Sequence, residues 1–455
     1  MTMPRSVLVV GGGVAGLVAA RSLAMQGYEV SLFEASARMG GALYAAKLSG
    51  VDIDTGAEAF AVTRPETRTL IEELGLSANI VLPRRSDARL LLSDGMYAMP
   101  QAMLGVPTDL TATDVVEILG EIEATRAQHR DSRTPLTISP EITLGALVRE
   151  RMGDQVVDRI LTPVVAGVHA ANPDLVECEA VIPGLVQAFT ETGSLAKAAG
   201  KLRSASGIPG AAIAGLSGGM TTLVRALERD VLDLGVNLSA KTHIRELTRT
   251  SSGWIVNCDE QILRVDDLVF AVDAPTASRM LVSEPELSDS LARIAVGDVA
   301  VVAMVLDAPA LDEDPVGSGL LIAPHHPTVV AKALTHVTAK WDWVREAYGP
   351  GRHLVRLSYG RDGEVEESVE DLRNIARADA SVIFGIQDPE VLDFCVTRWD
   401  RSLVFPRSGH RAAVSDVRSA VAATPRLAVI GAGLGGNGLA GTIALARSVA
   451  EQLEQ

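Results

Sequence analysis

Cysteine is scarce in this chain. Its 455 residues hold three, Cys178, Cys258 and Cys395, far apart and in no CxxC spacing. That excludes a disulfide framework and a paired-thiol redox site, and it fits a reducing compartment. The eight histidines show no HExxH or other zinc spacing, so no metal is expected. His325 and His326 read as a solvated loop. A basic tract is missing too, and the formal net charge is −16, which argues against nucleic acid. No apolar run reaches the roughly 18 residues of a membrane span, and the longest candidate, 299–306, is strand-sized. Arg5 precedes an apolar run, but that run carries four glycines and no small-residue cleavage site, so a cytoplasmic location is expected. A chain this long should bury a large core and hold more than one domain.

What is present is concentrated at the two ends. Residues 7–10 (VLVV) are an all-apolar run, as suits a buried parallel strand. Gly11, Gly13 and Gly16 follow as GxGxxG. The first allows a tight turn, the second lets the backbone approach a pyrophosphate, and the third lets helix and strand pack closely. A helix is expected from Val14 to Gly27, then a strand over 28–33 ending on Glu34. That carboxylate lies about 20 residues past the turn, where a ribose hydroxyl is held. Strand, helix, strand and acid in this order make a dinucleotide-binding unit rather than a chance glycine turn.

The unit alone does not separate NAD from FAD. A second glycine pair in RMGG (38–41) and the Asp-x-Gly turn of VDIDTG (51–56) suit the longer FAD molecule, which needs more backbone donors. Gly431, Gly433 and Gly436 repeat GxGxxG after the apolar run 426–430. Only 19 residues remain beyond Gly436, too few for a crossover helix, a strand and an acid. The run should therefore join the first sheet. The helix from about Leu439 should aim its N-terminus at the same cofactor, where free N–H groups suit an electron-rich ring edge.

Between the ends, residues 89–99 read as a hairpin with Asp94-Gly95 as its turn. Helical patterns follow over 112–128, 143–152, 154–161 and 181–199, with Thr111 and Thr143 as N-caps. A helix over 221–234 precedes short strands over 236–247, 253–258 and 264–272. Strands over 300–306, 319–322, 353–359 and 391–399 suggest a largely antiparallel sheet, covered by a helix over 369–384.

These residues resemble a known family, the FAD-dependent porphyrinogen oxidases of heme biosynthesis within the amine oxidase superfamily. GGGVAGL, Glu34, RMGG and DTGAE carry the superfamily likeness. MPQAMLGVPTDL (99–110), PVVAGVHAANP (163–173), TGSL (192–195), LSGGM (216–220), THVTAKW (335–341) and Arg398-Trp399 with Pro406 and Gly409-His410 carry the family's. Two stretches depart from its pattern: NGLAGT (437–442), where the last helix opens, and His169 with Ala171-Asn172.

The resemblance implies an α/β fold with a Rossmann-like FAD-binding domain built from discontinuous segments, 4–88, 211–273 and 419–455. A substrate-binding domain with an antiparallel sheet would take 89–107 and 274–418, and a helical insertion 108–210. It implies that FAD is held by Gly11, Gly13, Gly16, Glu34, Arg38, Gly40, Gly41 and Ala57, by Ile244 near the adenine, and by Gly433, Gly438 and Leu439 at the flavin. The implied partners are an anionic porphyrinogen and molecular oxygen, with hydrogen peroxide released and no separate NAD site. Arg89 aligns with the family's propionate-binding arginine. Lys340 is a second candidate cation, and His169 and Ala170 are candidate macrocycle contacts. Arg84 and Arg85 read as a solvated loop pair. No acid–base pair or nucleophile stands out, as expected where the cofactor carries the chemistry.

Three alternatives remain open at this point. The substrate could be coproporphyrinogen III, with four propionates, or protoporphyrinogen IX, with two. An amine oxidase or a desaturase would share the FAD core. A non-catalytic binding protein on the same scaffold would need no flavin. The compact acidic chain favours the coproporphyrinogen type. Peripheral membrane contact and transient contact with neighbouring heme-pathway enzymes are compatible with the same reading.

Overall fold

The computed structural model describes residues 4–84, 87–133, 138–139, 141–205, 213–259, 261–361 and 363–454. Its first sheet has five parallel strands in the order Asn237–Ser239, Glu29–Phe33, Ser6–Val10, Asp267–Phe270, Leu427–Val429. Strand Ser6–Val10 is central, and both of its faces are covered. Val7 and Val9 pack with helices Val14–Met25, Thr221–Asp233 and Leu439–Arg447. Leu8 and Val10 pack on the other side with Trp254, Leu291 and Val417. A strand buried on both faces has no use for polar residues, which is why its run is apolar throughout. The C-terminal strand enters this sheet beside Asp267–Phe270, with Leu427 opposite Leu268.

The second sheet has seven strands, ordered Glu390–Val404, Val296–Asp307, Arg352–Tyr359, Ala333–His336, Gly319–Ile322, Ala88–Leu92, Gly95–Ala98. Only Gly319–Ile322 and Ala88–Leu92 run parallel. Ala300, Val302, Met304 and Leu306 face helix Val369–Phe384 through Leu372, Ala376 and Ala380. Val299 and Val301 point the other way and line a cavity with Gly56 and Ala57. The fold is mixed α/β, with a Rossmann-like parallel sheet and an antiparallel one.

The helical stretch differs in detail from its expected outline. The helix expected over 112–128 breaks at Gly120 into Thr113–Leu119 and Glu121–Asp131, and Ala112, not Thr111, is its N-cap. Thr143 does cap Leu144–Met152, its hydroxyl accepting from the Ala146 N–H at 3.2 Å. Pro183 and Gly193 divide the expected 181–199 helix, leaving Leu185–Thr192 and Leu195–Ala205. In the hairpin, Leu92 pairs with Gly95, so its two-residue turn is Ser93-Asp94. The run 236–247 is two strands in different sheets, because the chain turns over Ala240–Lys241 to bond Ser36. Arg84 is no free loop cation. It pairs with Asp314 and, at 3.4 Å, with Asp342. Arg85 lies outside the described residues.

Candidate functional site

The first glycine turn is shaped by close approach. A Cβ at Gly16 would stand 1.9 Å from the Gly11 carbonyl oxygen, so only glycine lets the helix sit on the strand end. Gly13 is different. Its added Cβ would meet nothing nearer than Gly41 Cα at 3.8 Å, so open space lies in front of it. Glu34 is clamped to the same turn. Its carboxylate accepts from the Gly12 N–H at 2.7 Å and the Ser36 N–H at 2.8 Å. Gly40 N donates to Gly12 O at 2.8 Å and brings RMGG alongside. Arg38 lies 4.2 Å above the Tyr44 ring and donates to Gly41 O at 3.1 Å. Burial lowers its pKa, against the pull of Tyr44 and Glu34.

The second glycine turn follows strand Leu427–Val429, two strands along the same sheet from Ser6–Val10. A Cβ at Gly436 or Gly438 would meet no atom within 4 Å. Gly433 instead faces Ala274 and Ile294. Asn437 fixes the turn by bonding both the N–H and the carbonyl of Val404. Helices Val14–Met25 and Leu439–Arg447 both begin at glycines, Gly13 and Gly438, with no side-chain cap. Uncapped N–H groups and the positive helix ends therefore meet open space at both turns. These residues fit a flavin dinucleotide: one helix end for an anionic pyrophosphate, the other for an electron-rich ring edge. Ile244 belongs to the Glu34 side. Two residues before it, the Thr242 N–H donates to Glu34 O at 3.0 Å.

A cavity of about 260 Å³ is lined by Ala42, which follows RMGG, and by Gly56, Ala57, Val301, Lys332 and Trp399 among others. Arg356 of its lining belongs to an ion-paired triad. Glu58 accepts from Lys340 Nζ at 2.5 Å and from Arg356 Nη1 at 2.9 Å. Burial pushes the Glu58 carboxyl up, but the two cations outweigh it and hold it down at about 2. Arg356 also donates to Gly56 O at 2.7 Å, and Trp399 Nε1 to Thr55 O at 3.0 Å. Lys332 is 3% exposed, with its ammonium 3.4 Å from Gly360 O. Burial, with Arg361 adding to it, lowers its pKa to about 7. Asp54 of VDIDTG takes the Met220 N–H at 2.8 Å just ahead of helix Thr221–Asp233, and burial lifts its carboxyl to about 6. That aspartate's motif thus serves a helix start as well as the cofactor side.

The expected substrate residues are not brought together. Lys340 is committed to Glu58. Arg89 is opposite Leu320 in the sheet and shares the face of Leu91, against helix Val369–Phe384. Its neighbours Leu90 and Leu92 face the helical stretch. Strand alternation therefore turns Arg89 away from the cavity. His169 ends helix Thr162–His169, and burial lowers it to about 4. Ala170, left-handed at φ +49°, lines a second cavity of about 550 Å³ with Arg149, Arg361 and His325. Lys332, Arg356 and Glu58 escaped sequence reasoning. Glu58 stood inside the quoted DTGAE, but nothing in the sequence pairs it with residues about 300 positions away. Among the described residues no cluster of metal-ligating side chains occurs, and no helix is long and apolar enough to cross a membrane.

Residues 14–453 match the family model of flavin-containing amine oxidoreductases. A protein of Mycobacterium leprae (strain TN) named coproporphyrinogen III oxidase is 30% identical over 469 residues, covering 99% of this chain and 98% of the relative. One of the same name from Bacillus subtilis (strain 168) is 27% identical, covering 96% and 95%. A solved structure from Exiguobacterium sp. 255-15, provisionally described as a protoporphyrinogen oxidase, superposes with a TM-score of 0.85 at 25% identity, covering 99% of each chain.

Proposed function

The chain belongs to the family of flavin-containing amine oxidoreductases, and from that premise we propose that it is a coproporphyrinogen III oxidase of heme biosynthesis. It takes six electrons from the porphyrinogen in three steps and passes them to oxygen, releasing hydrogen peroxide. The observation that carries this reading is the end-to-end likeness to relatives of that name. Protoporphyrinogen IX is the second reading, favoured by the name given to the similar solved structure.

The cofactor of this reading is FAD. Gly11, Gly13 and Gly16 shape the pyrophosphate turn, Glu34 takes the ribose, and Arg38, Gly40, Gly41 and Ala57 line its length. Ile244 meets the adenine, while Gly433, Gly438 and Leu439 belong to the flavin end. The bound flavin supplies a two-electron acceptor. The chain's own residues orient the donor and exclude water. Gly56, Ala57 and Val301 make a close, apolar wall, and the Glu58 triad holds Arg356 against Gly56. The five-stranded sheet, with its strands drawn from both ends and the middle of the chain, is the FAD-binding unit of 4–88, 211–273 and 419–455. The reaction is placed in the cytoplasm.

The test is direct. Purified protein should be yellow with a flavin spectrum. It should oxidise coproporphyrinogen III faster than protoporphyrinogen IX, with three peroxides per porphyrin. Preference for protoporphyrinogen IX would select the second reading, and strict dependence on NAD(P)+ under air would contradict both.

A further inference from the structure

Lys332 is the buried amine that the cofactor-holding residues leave unused. It sits at a bend just before strand Ala333–His336, its N–H bonded to Ser358 O at 2.8 Å. Its one hydrogen bond from the ammonium is the long contact to Gly360 O. No carboxylate among the described residues pairs with it. Around it stand Arg356 and Ser358 on strand Arg352–Tyr359, with Arg361 just beyond. Arg356 is already balanced by Glu58. Behind the strand, Asp379 of helix Val369–Phe384 is committed to the N–H groups of Val330 and Ala331 and to the Tyr359 hydroxyl, with His326 nearby. Helix Thr162–His169 offers Gly167 and Val168, with His169 next in the chain. The site thus buries an amine in a cavity wall that Ala57 and Trp399 share, without an anion to hold it charged.

We infer that Lys332 is the proton acceptor of the oxidation, taking the N–H proton of the substrate as its neighbouring C–H gives up hydride. This rests on the porphyrinogen reading. In each step a meso carbon loses a hydrogen with both bonding electrons to the flavin. The adjacent pyrrole N–H then breaks, the electron pair left on nitrogen completes the new C=N bond, and the proton goes to the amine of Lys332. A neutral amine is needed, and burial supplies it near neutral pH. A fixed cation that merely anchored a carboxylate would instead be served as well by arginine.

The test compares flavin-loaded wild type with Lys332→Met and Lys332→Arg, checking flavin content and thermal midpoint first. Two quantities are read: the anaerobic rate at which coproporphyrinogen III bleaches the flavin, across pH 5.5–9, and the affinity for coproporphyrin III by fluorescence. The wild-type rate should rise through about pH 7 to a plateau. Both variants should lose about 100-fold or more in rate, the range of a lost general base, and should lose that pH limb. Their affinity for coproporphyrin should stay within about threefold, because a proton acceptor is not an anchor. If Lys332→Arg keeps the wild-type rate, or Lys332→Met keeps the limb near pH 7, the proposal is overturned. A tenfold loss of coproporphyrin affinity with an unchanged pH profile would overturn it in favour of an anchor. Wild type whose flavin stays oxidised with both porphyrinogens fails earlier, at the substrate reading itself.

Discussion

Asn437 holds Val404 with both ends of its side-chain amide, accepting from the Val404 N–H at 3.0 Å and donating to its carbonyl at 2.8 Å. The loop ahead of the last glycine-capped helix is thereby pinned to the end of the longest strand of the other sheet. Replacing Asn437 with alanine strands a partly buried donor and acceptor, at about 1–3 kcal/mol. We expect a lower thermal midpoint and faster flavin release on dilution. Unchanged flavin retention would make the bond a local loop contact only.

Two glycines of one motif should fail in different ways. Gly13 has ordinary extended backbone, φ −67° and ψ 177°, and faces open space, so Gly13→Val should fold and purify colourless. Gly16→Ala drives a methyl into the Gly11 carbonyl and should lose the fold itself. Absorbance of bound flavin against far-ultraviolet circular dichroism separates the two. Full flavin occupancy in Gly13→Val would move the pyrophosphate elsewhere.

The Glu58 triad sets an acid limit on stability. Its carboxyl is held at about 2, below its ordinary 4.5, so the stabilisation is complete above about pH 4.5 and disappears as pH falls toward 2. Glu58→Gln should cost on the order of 3 kcal/mol at pH 7, because Lys340 and Arg356 lose their counter-charge. The gap between variant and wild type should shrink at pH 3. Denaturation midpoints at the two pH values check this, and a gap that widens in acid would refute the sign.

Arg89 now carries a prediction opposite to the one its resemblance implies. Turned toward helix Val369–Phe384, it should tolerate alanine with the Michaelis constant for coproporphyrinogen III changed by less than about twofold, as for a side chain that makes no contact in ground or transition state. A tenfold rise would restore its propionate-binding role.

Local signatures reach the N-terminal unit and stop short of the cavity. The N-terminal unit was legible because it is local: strand, turn, helix and acid lie within residues 6–34, and each has a chemical signature. The C-terminal strand was placed in the same sheet by exclusion, from too little remaining chain. Helix breaks at Gly120 and Gly193 were lost inside continuous apolar patterns, since periodicity does not see a single residue that ends a turn. Which face Arg89 occupies follows from the strand register, and a one-residue shift would reverse it, so the sequence alone does not decide it. Glu58 meets Lys340 and Arg356 only through tertiary contacts across hundreds of residues, and no spacing in the chain announces them.

The five-stranded sheet also imposes an order on biosynthesis. Its central strand, Ser6–Val10, is translated long before its edge strand, Leu427–Val429. An emerging chain therefore holds the first glycine turn long before it has helix Leu439–Arg447. The nascent protein thus has one glycine turn early and gains the second glycine-started helix only after residue 439 clears the ribosome. Until then Val404 has no Asn437 to close on, and the end of the longest strand lacks its partner.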